Sequence, residues 1–304
     1  MERKFGIEME IVGISKEVAL RSLQAVGVQA VDAGYTHTVM ECWKIVSDSS
    51  VQGGFEVVSP VLSGTSGLET VRTVAQALAD AGATANRSCG LHVHVDAHGM
   101  TLDNLRSIVT RYAAHEAEID SFMPRSRRGD ENFYCASLHN LVSSRAFREA
   151  DTVEKLVRAQ RSRYHKVNLH SYLRYGTVEF RQHSGTVQAT KICNWLCLLL
   201  AFVDQCCATA AVVTEQPVHG RQGELLEMLR QGAVSVEAMQ SRWSWTAHTA
   251  RAAITRLRRC GLQIDFVEGR YLLRRRSCED SLWTGVAENV RTFYRNRAAV
   301  LAVI

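Results

Sequence analysis

Lysine is scarce in this chain: of its 36 basic residues six are lysine and 30 are arginine. Arginine's planar fork suits carboxylate and phosphate, so the imbalance points to anionic groups somewhere in the fold. The nine cysteines contain no Cys-x-x-Cys spacing. Their odd number and apolar surroundings exclude a disulfide framework or zinc knuckle and point to reduced thiols in a cytoplasm. No basic leader followed by an apolar core opens the sequence, so no signal peptide is expected. The most membrane-like run, Trp195 to Val213, is broken by Asp204-Gln205. A carboxylate at mid-membrane costs about 2.5–3.5 kcal/mol, which predicts a buried helix and no membrane partner. Walker A and glycine-rich dinucleotide loops are absent too, so no nucleotide site is announced by those motifs.

What is present is ordinary in bulk. The 304 residues, 46% hydrophobic and 22% charged, fit a soluble globular protein with one large domain or a catalytic domain plus an appendage. The charge is unevenly placed. Residues 1–140 hold 12 Lys/Arg against 17 Asp/Glu, a balance of −5, and the remainder holds 24 against 14, a balance of +10. That asymmetry suggests cations bound in one place and phosphate in another.

Strand patterns with charges on one face recur. Phe5 to Ile11 alternates, with Phe5, Ile7, Met9 and Ile11 on one side and Glu8 and Glu10 on the other. Two carboxylates a few ångströms apart repel, which raises a pKa or calls for a divalent cation between them. Met40 to Ser47 reads as a strand with Lys44 and Asp48 opposite Trp43 and Ile45, and Glu56 is the one charge in Phe55 to Ser59. Cys89 to Asp96 turns Leu91, Val93 and Val95 to a core and His92, His94 and Asp96 away from it. Lys166 to Thr186 predicts a hairpin turning at Tyr175-Gly176, in which Glu179 and Arg181 share a face opposite Val178 and Phe180. Helices are expected at Ser15–Val26, Gly67–Ala81, Leu102–Ile119, Thr152–Arg163 and Lys191–Ala211. Between them a polar loop clusters Arg125, Arg127 and Arg128.

Beyond Gln216 the character changes. A helix at Glu224–Arg230, one capped by Ser235, another over Thr246–Cys260 and a hairpin turning at Glu268-Gly269 predict a winged helix-turn-helix, closed by a basic helix over Leu282–Val303. Arg251, Arg256, Arg258 and Arg259 decorate its third helix. The expected division is 1–215 and 216–304, with nucleic acid or a protein as the second domain's partner.

Six pieces in order, F-G-I-E-M-E, W-K-I-V-S-D-S-S, F-E-V-V-S-P, C-G-L-H-V-H-V-D, R-R-G-D-E-N-F-Y-C and T-V-E-F-R-Q-H-S-G-T, resemble the amidoligase family of the glutamine synthetase and glutamate–cysteine ligase superfamily. The resemblance spans residues 1 to about 210. It implies an α+β fold, an antiparallel sheet with a charged concave face and helices behind. It also implies ATP-dependent joining of a small-molecule or peptide carboxylate to an amine through an acyl-phosphate. Carried over, Glu8, Glu10, Glu56, His92 or His94, and Glu179 would hold Mg²⁺ or Mn²⁺. Arg181 would meet the transferring phosphoryl group, with Arg127, Arg128 and Arg174 also on the nucleotide, and Lys44 and Asp48 would position substrate. Two rival readings are a zinc hydrolase built on the His92/His94 pair and a nucleic-acid-binding or docking protein whose ligase-like domain is inactive.

Overall fold

A computed structural model describes residues 3–212, 220–259 and 264–273. The fold is α+β, and the chain divides into two compact units, Met1–Cys207 and Ala208–Ile304.

The first unit begins with β1 (Phe5–Val12), α1 (Lys16–Ala25), β2 (Ala30–Asp32), β3 (Trp43–Val46), β4 (Gly54–Val58), α2 (Gly64–Asp80) and β5 (Gly90–Asp96). It continues with α3 (Leu102–Ala114), α4 (Glu116–Phe122), α5 (His139–Ser143), α6 (Arg145–Arg148), α7 (Val153–Ala159), β6 (Val167–Asn168), α8 (His170–Tyr175), β7 (Thr177–Ser184) and α9 (Ala189–Val212). The strands form one sheet in the order β2-β3-β4-β1-β5-β7-β6, antiparallel except for the β2–β3 pair. Cross-strand register puts like with like: Ile7 lies opposite Val93, Ile11 opposite Phe55, and Met9 between Val57 and Leu91. Val93 in turn meets Phe180. All these side chains are buried, so one sheet face is a continuous apolar surface.

Helices cover that face. Phe180 packs with Tyr112 of α3 and Phe202 of α9, ring centroids 5.6 and 6.3 Å away. α2 comes close at Gly67, where a Cβ would stand 3.2 Å from the Phe5 ring. α9 is long and apolar enough to cross a membrane, yet Leu196, Leu199, Phe202 and Val203 are buried in this core, and Asp204 pairs with Arg3 at 2.6 Å. The seven described cysteines are free thiols.

Two sequence expectations are corrected. The stretch Val167–Leu173 is no strand: β6 stops at Asn168, and α8 follows until Gly176, whose φ of 66° ends it. Just ahead of that helix the Asn168 side chain turns the backbone by accepting from the His170 amide at 2.8 Å. Val-Asn-Leu-His-Ser-Tyr-Leu alternates as a strand would, but Leu173 is exposed and has no core to enter. A side chain at Gly176 would be strained by that φ and would displace the His98 ring, which a Cβ would approach to 2.3 Å. The second correction lies in α3 and α4, where the predicted single helix breaks at His115.

β7 also carries a bulge, with the register to β5 shifting between Leu91 and Val93. One extra residue on β7 turns His183 to the helix side, where its ring lies 5.4 Å from that of Trp195.

The second unit contains α10 (Arg221–Gln231), β8 (Val234–Ser235), α11 (Val236–Trp243), α12 (Ala247–Arg259), β9 (Ile264–Val267) and β10 (Arg270–Leu273). Its strands form a small antiparallel sheet ordered β8-β10-β9. Leu225, Leu229, Met239, Ile254, Leu257 and Ile264 are among the buried residues of its own core. The Ser235 hydroxyl caps α11 at the Ala238 amide, 3.1 Å away. Glu268 and Gly269, with φ of 50° and 79°, make the turn with two positive φ values that suits a two-residue hairpin. The expected closing helix at Leu282–Val303 lies outside the described residues.

Burial pushes the His183 imidazole down to about 4, against a partly offsetting hydrogen bond to the Ser184 carbonyl. The unfolded chain binds that proton nearer pH 6.5, so stability present above this pH is lost as the pH falls towards 4. The full swing is up to roughly 3 kcal/mol. His183→Asn should therefore lose less stability than the native protein between pH 7 and pH 4.5. Urea unfolding at both pH values reads the difference, and parallel slopes would contradict it.

Candidate active site

The sheet face away from the helices gathers the charged residues. Glu8 and Glu10 project from β1; Glu10 lies opposite Glu56 of β4, and Glu8 opposite His92 of β5. His94, two residues on, lies opposite Glu179 of β7, and Glu179 opposite Asn168 of β6. The alternation that buries Ile7, Met9, Val57, Val93 and Phe180 thus forces these polar residues together on one wall. Glu10, Glu56, His92 and Glu179 are buried.

Distances tie the row together. His92 Nδ1 is 3.2 Å from Glu8 Oε2, and His92 Nε2 is 3.5 Å from Glu10 Oε1. His94 Nε2 is 3.5 Å from Glu8 Oε1, and its Nδ1 is 2.9 Å from the Thr177 hydroxyl. Asn168 Nδ2 donates to Glu179 Oε2 at 2.5 Å, while the Arg181 guanidinium pairs with Oε1. The Gly90 amide donates to Glu10 Oε2 at 2.6 Å. Glycine is required there, because a Cβ would stand 2.8 Å from His92 Nε2.

Among the described residues three overlapping groups could hold a cation: Glu8 with His94 and Glu179, Glu8 with Glu56 and His92, and Glu10 with Asp48 and Glu56. Within each, the candidate ligand atoms lie within 4.8 Å of one another. Glu8 and Glu56 each serve two groups, so the sites run in a row along the sheet. Carboxylate oxygens dominate, the donor set that hard divalent cations prefer.

The electrostatics carry the same message. Burial, then the negative charges of Glu8 and Asp48, push the Glu56 carboxyl up to about 10. It is therefore protonated at neutral pH and shares a hydrogen bond with Asp48. Burial also raises Glu8, but hydrogen bonds from His92 and His94 outweigh it and leave Glu8 well below the usual carboxylate range. For Glu179 burial is likewise outweighed, by Arg181 and then the two histidines, and its carboxyl is lowered.

Two cavities open on either side of this row and share Glu8, Glu56, His37, His94 and Tyr175. One, of about 290 Å³, is lined by Arg163, Arg174, Arg181, Tyr134 and Tyr164 together with Asp48 and His92. The other, of about 480 Å³, is lined by Lys44 and a run of valines.

Arg174 reaches the smaller cavity, though from α8, with its guanidinium 5.0 Å from the Tyr175 ring. Arg127 and Arg128 line neither cavity. Arg127 is buried and donates to the Cys89 carbonyl at 2.5 Å; Arg128 donates to that of Met123 at 2.8 Å. Arg127 ties its loop to the start of β5 and Arg128 binds within its own loop, and the phosphate-contact role expected of them is not supported. In their place stand residues the sequence did not announce: Asn168, Arg163, Tyr134, Tyr164 and His37. The basic, aromatic string Arg-Ser-Arg-Tyr-His-Lys at 161–166 was the available signal for Arg163 and Tyr164.

Behind the site, fully buried Lys166 binds Glu116 and Asp120 at 2.5 and 2.8 Å. Asp120 also accepts from Gln182 of β7 at 2.5 Å and from the Gly129 amide at 2.8 Å. This network ties the 124–137 loop, which carries Tyr134, to β7.

Residues 1–203 match the model of a family described as "Putative amidoligase enzyme". The chain belongs to the amidoligase family. Membership makes it a ligase-type enzyme, and the match covers the whole sheet with its charged wall. No curated protein matches the amidoligase chain.

Since Glu56 is neutral in this geometry, Glu56→Gln should leave stability within about 1 kcal/mol of the native value. It should nevertheless weaken Mn²⁺ binding by at least about tenfold, because an amide cannot supply the charge two of the cation groups need. Electron paramagnetic resonance titration of Mn²⁺ checks this, and unchanged affinity would remove Glu56 from the ligand set.

Proposed function

We propose that this amidoligase is an ATP- and Mg²⁺-dependent carboxylate–amine ligase that works through an acyl-phosphate and releases ADP. The observation that carries the reading is the row of overlapping carboxylate-rich groups centred on Glu8 and Glu56, flanked on one side by arginines. Phosphoryl transfer depends mainly on charge neutralisation and positioning, and this row offers both.

Glu8, Glu10, Glu56, His92, His94 and Glu179 would hold Mg²⁺ or Mn²⁺, with Asp48 at one end of the row. Bound cations would neutralise the terminal phosphates of ATP and orient the γ-phosphoryl group. Arg181, pinned between Glu179 and the Tyr134 carbonyl at 3.2 Å, is held where a shifting phosphoryl charge can be met. Arg163 and Arg174 share its cavity and extend the cationic wall. A substrate carboxylate oxygen would attack the γ-phosphorus as ADP leaves. The amine nitrogen would then attack the acyl carbon, and phosphate leaves with the acyl C–O bond electrons. His94, whose ring sits between Glu8 and the Thr177 hydroxyl, is held too firmly to wander from the row. Oxygen-rich ligands favour Mg²⁺ over zinc, which weighs against a hydrolase built on the two histidines. The free thiols fit a reducing compartment such as the cytoplasm.

Incubation with Mg²⁺, ATP and pools of amino acids and peptides should yield condensed products with ADP and phosphate. Arg181→Ala should lower kcat by about 100-fold or more while ATP affinity changes far less, because the charge it meets is redistributed in the transition state. AMP and pyrophosphate as products would overturn the mechanism, and absence of any turnover would favour an inactive scaffold.

For the second domain we propose a winged helix-turn-helix that binds duplex nucleic acid. The exposed residues of α12 include His248, Arg251, Thr255 and Arg256, and the helix contains no acid. Fluorescence anisotropy with a short DNA duplex should show affinity falling steeply with salt, through counterion release. Arg251→Ala should reduce the slope of log affinity against log salt by about one. A flat salt response, or no binding at low salt, would favour protein docking, for which Phe266 and Leu272 are exposed on the hairpin.

A further inference from the structure

The larger cavity contains an ammonium with no close counter-ion among the described residues. Lys44 is only 6% exposed and lines this space, yet the one hydrogen bond its ammonium makes among the described residues is to the Thr38 carbonyl, at 2.7 Å. No carboxylate lies within ion-pair distance of it there. Burial lowers its pKa, only partly offset by the more distant Glu8 and Glu56. A buried ammonium with spare donors is costly unless an anion meets it.

Its surroundings narrow that anion. Lys44 lies opposite Val58, and Val58 opposite Glu8, so Lys44 stands on the same sheet face as Glu8, two strands away. The apolar part of its wall is formed by Ile7, Val39, Val46, Val58 and Val61, and the rest by polar groups that include Lys4, Asp96, His98 and the shared Glu8, Glu56 and His94. Asp96, an acid at this cavity that could have welcomed a cationic tail, already holds His98 Nδ1 at 2.6 Å. About 480 Å³ falls in the range of small-molecule pockets, about 300–1,000 Å³. Arg163, Arg174, Arg181, Tyr134 and Tyr164, by contrast, line the other cavity alone, which suits a polyphosphate.

We infer that the Lys44 cavity receives the reactive carboxylate of an amino acid or short peptide whose side chain is apolar, with Lys44 on the carboxylate and Val39, Val46, Val58 and Val61 selecting the side chain. The inference rests on the ligase reading, and it divides the site: nucleotide on the arginine–tyrosine side, acyl substrate on the lysine–valine side. Val58 is the specificity-determining position, since it shares the sheet row of both Lys44 and Glu8.

Calorimetric titrations of the whole protein, saturated with Mg²⁺ and a non-hydrolysable ATP analogue, test it. The probes are L-leucine, L-phenylalanine, dileucine, L-glutamate, L-lysine and isoamylamine, the last being leucine without its carboxylate. An apolar carboxylate among the first three should bind at least about tenfold more tightly than glutamate or lysine, and isoamylamine should not bind. Lys44→Met should abolish that binding, and Val58→Thr should weaken it about tenfold while leaving any glutamate binding as it was. Analogue binding in each variant reports that the variant is folded. Preferential binding of glutamate or lysine, undiminished leucine binding in Lys44→Met, or no probe binding to protein that holds the nucleotide would each overturn the inference. The last result leaves the ligase reading standing. If Mg²⁺ and the analogue do not bind at all, the ligase reading fails first and this inference with it.

Discussion

Glu8, Glu10, Glu56 and Glu179 share one face of a sheet, and their mutual repulsion is the constraint to which the rest of the domain answers. At a surface such crowding would be screened, but three of these four are buried, where like charges interact several-fold more strongly. The chain meets it with three devices. His92 and His94 reach Glu8 from the next strand, Arg181 neutralises Glu179, and Glu56 keeps its proton. Each is an arrangement that divalent cations could replace.

Such a wall can be held only by a rigid backing. Cross-strand pairs such as Ile7–Val93 and Ile11–Phe55 set the register on the helix side, and a slip of one residue would turn every carboxylate into the core. The bulge in β7 lets Arg181 stay on the site face while Gln182 and His183 face the helices. Gln182 then joins Lys166, Glu116 and Asp120 in the buried network that positions Tyr134, whose carbonyl holds Arg181. Packing behind the sheet and chemistry in front of it are therefore coupled through single residues of one strand.

The two cavities differ in chemistry although they share the acid row. Arginines and exposed aromatic rings gather on one side, valines and the buried Lys44 ammonium on the other. A reaction that joins two charged substrates benefits from such separation, because each must be recognised by different forces and brought to one set of cations. The second domain, with its own hydrophobic core, lies outside the family match and contributes a different kind of surface.

Much of the wall was legible in the residues alone. Period-two alternation in Phe5–Ile11, Phe55–Ser59, Cys89–Asp96 and Thr177–His183 determined which side chains share a face, because a strand offers only two. It failed at His183, which the bulge turns to the helix side. Those patterns sufficed to pick out Glu8, Glu10, Glu56, His92, His94, Glu179 and Arg181, and the Glu268-Gly269 turn followed from local backbone preference. Strand order was not legible. Only the tertiary structure set Glu10 beside Glu56 and Glu179 beside Asn168, since pairing joins segments far apart in sequence. Local alternation also misread Val167–Leu173, where the Asn168 side chain turns the backbone by accepting from the His170 amide and the left-handed Gly176 closes a helix. The arginines of the 125–128 loop looked free to reach a phosphate because sequence carries no sign of burial. The fold turned Arg127 inward to the Cys89 carbonyl and brought Arg163 to the cleft, and long-range packing alone decided between them.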